Sequence, residues 1–105
     1  MTRATAIARA EQYLDGGAFK TDLARRVAIR SESQNQDRTS DLHRYIESEM
    51  KPALEAMGFA CRILTHPKVK GPFLFAERIE NPARPTVLGY GHGDVIGGLR
   101  RPGSP

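Results

Sequence analysis

Residues 85–95 read PTVLGYGHGDV, and this stretch decides the fold that the sequence predicts. Its proline opens a short apolar run at 87–90, and proline is tolerated at the first residue of a β-strand. Glycines at positions 89, 91 and 93 remove side chains where the backbone must turn or approach another group closely. The pattern predicts a buried strand over 87–90, with His92 just beyond its carboxyl end.

His92 and Asp94 are the candidate functional residues of this stretch. In extended chain, residues two apart project from the same face of the strand. An imidazole can bind zinc, and a neighbouring carboxylate can fix its tautomer or join the site. By itself, the same spacing also fits a hydrogen-bonded histidine and aspartate in a glycine-rich loop that binds no metal.

A hydrophobic strand that runs into Gly-His-Gly-Asp-Val resembles the first metal motif of a known family. This is the zinc-dependent aminoacylase and carboxypeptidase family, metallopeptidase family twenty. The resemblance extends backward over residues 19–94 and includes a helix that ends in Leu-x-x-Met-Gly-Phe before a strand. It implies an α/β fold, in which this chain is the N-terminal part of an α/β/α catalytic domain.

The resemblance also implies a function, a cofactor and a role for each motif residue. It implies a hydrolase of amide bonds whose substrate is an N-acyl amino acid or a small peptide. Zinc is the implied cofactor; in this chemistry it polarises the carbonyl and activates a water, while a glutamate shuttles the proton. His92 is the implied metal ligand, and Asp94 is the implied catalytic carboxylate that orients His92 and tunes its basicity.

The rest of that family's site has no match in this sequence. The family adds a second aspartate that bridges two zinc ions, a pair of glutamates and a distant histidine, whereas residues 96–101 read IGGLRR. We therefore expect residues 1–98 to be a partial catalytic domain that is inactive as a fragment, and 99–105 to be a disordered or aberrant tail. Neither Glu77 nor Glu80 matches the family's general base, and no catalytic role is assigned to Ser31 or Ser33.

Composition bounds the remaining function classes. The chain has 105 residues, 39% hydrophobic and 27% charged, which fits one small globular domain. It has no apolar run of the roughly 20 residues that span a bilayer, and no signal-peptide core. A single cysteine, Cys61, fits a reducing compartment, so we expect a cytoplasmic protein without a membrane partner.

The net charge of +4 is dispersed and is not interleaved with aromatic residues. We therefore expect no nucleic-acid partner. Two alternatives to the hydrolase stay open: a non-catalytic α/β interaction module, and a small basic protein that binds nucleic acid. The sequence does not indicate an oligomeric state.

Hydrophobic periodicity predicts helices that are followed by three strands. Proline inside the third helix predicts a kink or a break at Pro52, and glycine predicts its end at Gly58. The predicted helices are 4–14, 19–28 and 39–57; the predicted strands are 59–65, 73–79 and 87–90; the predicted loops are 29–39, 66–72 and 80–85.

Overall fold

The computed structural model describes residues 2–95, so the tail predicted at 99–105 lies outside the described residues. The chain forms helices first and a two-stranded sheet afterwards. The elements are α1 (Arg3–Asp15), α2 (Ala18–Val27), a 3₁₀ turn (Gln36–Arg38), α3 (Thr39–Arg44), a π-helical segment (Tyr45–Met50), α4 (Lys51–Ala56), β1 (Ala60–His66) and β2 (Val69–Glu77). The mixed α/β class is confirmed.

The first two helices form where their periodicity predicts, and in the structure they pack against each other as a hairpin. Thr2 caps α1, because its hydroxyl accepts a hydrogen bond of 3.1 Å from the backbone N–H of Thr5. Gly17 connects the helices with a φ of 88°, a left-handed conformation that glycine adopts without strain. Tyr13 and Phe19 meet edge to face across the hairpin, with ring centroids 5.8 Å apart.

An ion pair joins this hairpin to residues 39–56, which comprise α3, the π-helical segment and α4 and which we call the helical segment. The Arg25 guanidinium donates through Nε to both carboxylate oxygens of Glu49, at 2.9 Å each. A second nitrogen of Arg25 donates to Asp22 at 3.0 Å. The hydrogen bonds from Arg25 hold the pKa of Glu49 below its ordinary value. The pKa of Asp22 is also lowered; the hydrogen bond from the Tyr13 hydroxyl is the larger cause, and the one from Arg25 is the next. The pair is thus a polar link between α2 and the π-helical segment.

The helices α3 and α4 continue each other through the π-helical segment without a gap. The sequence predicts a kink or a break at Pro52; the helix does not break there, and its winding changes to the π-helical form just before this proline. The backbone nitrogen of a proline donates no hydrogen bond, and its ring crowds the carbonyl group four residues earlier. For Pro52 that carbonyl lies in the π-helical segment, and the wider turn there relieves the contact. Gly58, with a φ of 88°, ends the helix as predicted.

Strands β1 and β2 pair antiparallel, with Ile63 opposite Leu74. The prediction of a loop over 66–72 was wrong in part, because Val69 and the residues after it belong to β2 and the turn is confined to Pro67 and Lys68. Proline at position 72 is compatible with a strand here because β2 pairs with only one neighbour among residues 2–95.

The sheet has one half-buried face and one exposed face. Alternate residues of β1 and β2 are half-buried beneath the helical segment: Cys61, Ile63, Leu74 and Ala76. The opposite face exposes 44% of Leu64, 50% of Phe73 and 37% of Phe75. Within the described residues, helices therefore cover one face of the sheet, not both as an α/β/α layering would require.

The predicted third strand was wrong, because residues 87–90 form no strand in the structure. Val87, Leu88 and Tyr90 are 92%, 89% and 86% exposed. Across 85–92 no backbone group makes a hydrogen bond to another described residue. An apolar run becomes a strand only when a neighbouring strand pairs with its backbone, and neither β1 nor β2 pairs with residues 87–90.

The packed interior is small for the length of the chain. Ile29 is the one hydrophobic residue that is fully buried among residues 2–95, at 5% exposure. The radius of gyration is 17.0 Å, against about 13 Å for a compact domain of this length. The fold therefore depends heavily on the few contacts around the loop that follows α2.

Replacing Ile29 tests this dependence. We expect Ile29→Ala to lower the free energy of unfolding by about 2 to 4 kcal/mol, because it leaves a cavity at the one fully buried apolar position. Ile79→Ala is the matched control, since Ile79 is 58% exposed, and it should change stability by less than about 0.5 kcal/mol. Urea unfolding followed by circular dichroism measures both, and equal losses would contradict this account of the core.

Candidate functional site

The loop after α2 contacts the His92 to Asp94 motif through Ser31. The Ser31 hydroxyl donates to the carbonyl oxygen of Gly93 at 2.8 Å. The backbone N–H of Val95 donates in turn to the carbonyl oxygen of Ser31 at 3.1 Å. Ser31 is 1% exposed, so these bonds are shielded from competing water. We call these contacts of Ser31, Gly93 and Val95 the serine anchor.

Asp94 is held by the same loop. Its Oδ2 atom accepts a hydrogen bond of 3.2 Å from the Ser33 hydroxyl. The carboxylate is otherwise exposed to solvent. The loop therefore fixes both the backbone around Asp94 and the direction of its side chain.

His92 lies in the exposed part of the motif. Its ring packs edge to face against Tyr90, with centroids 5.1 Å apart and an interplanar angle of 74°. No hydrogen bond joins His92 to Asp94 among the bonds of residues 2–95. The predicted role of Asp94, orienting His92, stays a prediction.

Gly93 is the glycine at which the backbone approaches another group closely. A Cβ atom built there would collide with the ring of Tyr45, in the π-helical segment. Gly89 and Gly91 have nothing within 4 Å of the same position. Of the three alternating glycines, Gly93 alone is therefore required by packing among the described residues.

The motif borders a groove of about 840 Å³. Residues 68–74 and residues 89–94 line it, and we call them its walls; apolar residues of the helical segment also line it, and we call them its floor. The loop after α2 adds Ser31, Ser33 and Gln34. The floor residues are Leu42, Tyr45, Ile46, Met50 and Leu54. His92 and Asp94 both line this groove, where a ligand can reach them.

The described residues do not fit a complete catalytic zinc site. Such a site uses three protein ligands and a water, and residues 2–95 bring no three histidine, cysteine, aspartate or glutamate side chains together. His43 lies 3.8 Å from Glu47 on the helix, and His66 accepts a hydrogen bond from the Lys68 N–H at the hairpin turn. His92 and Asp94 are thus at most two members of such a site.

Sequence reasoning missed the two serines that position the motif. Ser31 and Ser33 lie in a polar loop without periodicity, and nothing local distinguishes them from their neighbours. Their partners are 62 and 61 residues away in the chain. The one available signal was the likeness of residues 29–33 to a loop near the active site of the resembled family.

Comparisons of the whole chain with protein families, with curated proteins and with solved structures find no match. The family resemblance therefore stays a prediction that rests on the motif residues. In the part of the chain that the structure describes, no helix has the length and apolar character needed to cross a membrane.

A pair of glycine substitutions tests the geometry of the site. We expect Gly93→Ala to lower the free energy of unfolding by about 1 to 3 kcal/mol, because its methyl group would overlap the Tyr45 ring and loosen the serine anchor. Gly91→Ala adds the same methyl group where space is open and should be nearly neutral. Thermal unfolding and the amide signal of Val95 in nuclear magnetic resonance spectra measure both variants. Indistinguishable behaviour would contradict the close approach at Gly93.

Proposed function

We propose that this chain is the N-terminal segment of a metal-dependent amidohydrolase or peptidase that acts on N-acyl amino acids or small peptides. In this proposal His92 is a zinc ligand, and Asp94 is the carboxylate that supports it. The observation that carries the proposal is the placement of Asp94 in the lining of a groove that His92 also lines. Ser33 binds the Asp94 carboxylate, and Ser31 binds the residues on either side of it, Gly93 and Val95.

The proposal requires groups beyond those described. A working zinc site needs at least one further ligand and a general base, and these would have to come from polypeptide outside residues 2–95. We assign no catalytic step to the described residues alone, and we expect the isolated chain to hydrolyse no acyl amino acid. A cytoplasmic location accompanies the proposal, on the basis of the single cysteine.

A second candidate function is a non-catalytic interaction module. It is favoured by the exposed face of the sheet, where Leu64, Phe73 and Phe75 form a row of apolar side chains. Apolar patches of this kind mark surfaces that contact other molecules. Under this alternative His92 binds zinc no more strongly than His43 or His66 does.

Zinc titration separates the two candidates. Under the hydrolase proposal, zinc shifts the ring resonances of His92 at lower concentration than those of His43 or His66, and His92→Ala removes the strongest binding. Micromolar zinc should leave the melting temperature nearly unchanged, because a ligand stabilises a fold only when its free concentration exceeds its dissociation constant.

His43→Ala and His66→Ala are the controls, and both should bind zinc as the wild type does. Equal shifts at all three histidines would contradict the role of His92. A large zinc-dependent rise in melting temperature that disappears in His92→Ala, or zinc-dependent hydrolysis by the isolated chain, would contradict the incomplete site.

A further inference from the structure

We propose that the groove is a binding site for an extended strand of another polypeptide. The strand pairs with the open edge of β2, directs alternate apolar side chains onto the helical floor, and carries acidic residues near Lys68 and Lys70. This inference goes beyond the proposed function and does not rest on it, because it uses neither zinc nor a reaction.

The groove lies at the open edge of β2. Seven consecutive residues, 68–74, line it, although successive side chains of a strand point to opposite faces. No residue of β1 lines it. The groove is therefore on the side of β2 away from β1, where a strand exposes unpaired N–H and C=O groups, although Pro72 has no N–H and offers only its C=O.

From 89 to 92 the other wall is irregular backbone. Residues 89–92 make no backbone hydrogen bond to any other described residue. The serine anchor fixes the chain immediately after them, at Gly93 and Val95. A strand in the groove would thus find backbone donors and acceptors on β2 and, on its other side, a second wall that is held in place at one end.

The floor selects a strand with one apolar face. Leu42, Ile46, Met50 and Leu54 follow one another at four-residue spacing along the helical segment and are half-buried. Every second side chain of an inserted strand would point toward them. Main-chain pairing supplies affinity in this mode of recognition, and the pockets for alternate side chains supply selectivity.

The charges around the groove select an acidic partner. Lys68 and Lys70 both line it, at the hairpin end of β2, and both are exposed. Asp94 is the one acidic side chain among its lining residues. Acidic residues at the matching end of the strand would complement the two ammonium groups, which sets orientation and partner choice more than affinity.

The test uses the whole chain and a designed peptide. The peptide has about seven residues, roughly 20 Å when extended, with alternating valine and threonine between a glutamate at each end. We expect saturable binding, with the largest amide shifts in Lys70, Gly71, Phe73 and Leu74, since Pro72 has no amide proton. The double variant Lys68→Glu/Lys70→Glu should weaken binding about fivefold to tenfold, and a peptide with lysine ends should restore it.

Two controls make the result decisive. Lys20→Glu reverses the charge of one lysine on α2, outside the groove lining, and should leave binding unchanged. Two peptides that are N-methylated on one or the other set of alternate amides test strand pairing, and at least one should bind more than tenfold more weakly than the parent. Equal binding by the parent peptide and both N-methylated peptides would overturn the proposal. So would no binding at all, or self-association of the chain that blocks the groove.

Discussion

The buried Ser31 is the constraint on which the candidate site depends. Its hydroxyl and its carbonyl bind Gly93 and Val95, from the other end of the described chain. A hydrogen bond in such a shielded position contributes only about 1 kcal/mol, but an unpaired buried polar group costs more. The serine anchor therefore fixes where the motif can lie, even though its own contribution to stability is modest.

The fold around this anchor leaves much of its apolar and backbone surface unpaired. The open edge of β2, the outer face of the sheet and residues 87–90 are all exposed in the described chain. Each would gain stability from a neighbour, since apolar burial and backbone pairing are the main favourable terms in folding.

Local patterns were enough to predict the helices and the first two strands. The four-residue spacing of Leu42, Ile46 and Met50 identified the long helical segment, because helical periodicity is a local property. The apolar residues of 59–65 and 73–79 were enough to predict two strands, although the hairpin turn between β1 and β2 is shorter than the predicted loop. The prediction of a third strand was wrong because an apolar run does not show whether a neighbouring strand pairs with it.

The site was predictable only in part, for the same reason. His92 and Asp94 stand out by spacing and residue type, whereas Ser31 and Ser33 act through contacts across more than sixty residues. Such contacts leave no local periodicity to read. The groove is likewise formed by four separate parts of the chain, so no single stretch of sequence predicts it.

Amide hydrogen exchange across residues 85–95 tests the central claim most directly. The claim is that the motif is anchored on the C-terminal side of His92 and makes no backbone hydrogen bonds on its N-terminal side. The account predicts that the Val95 amide exchanges at least about tenfold more slowly than an unstructured amide, because Ser31 accepts its hydrogen bond. It also predicts that the amides of Val87, Leu88 and Tyr90 exchange at the unstructured rate. Protection over 87–90 together with free exchange at Val95 would contradict it.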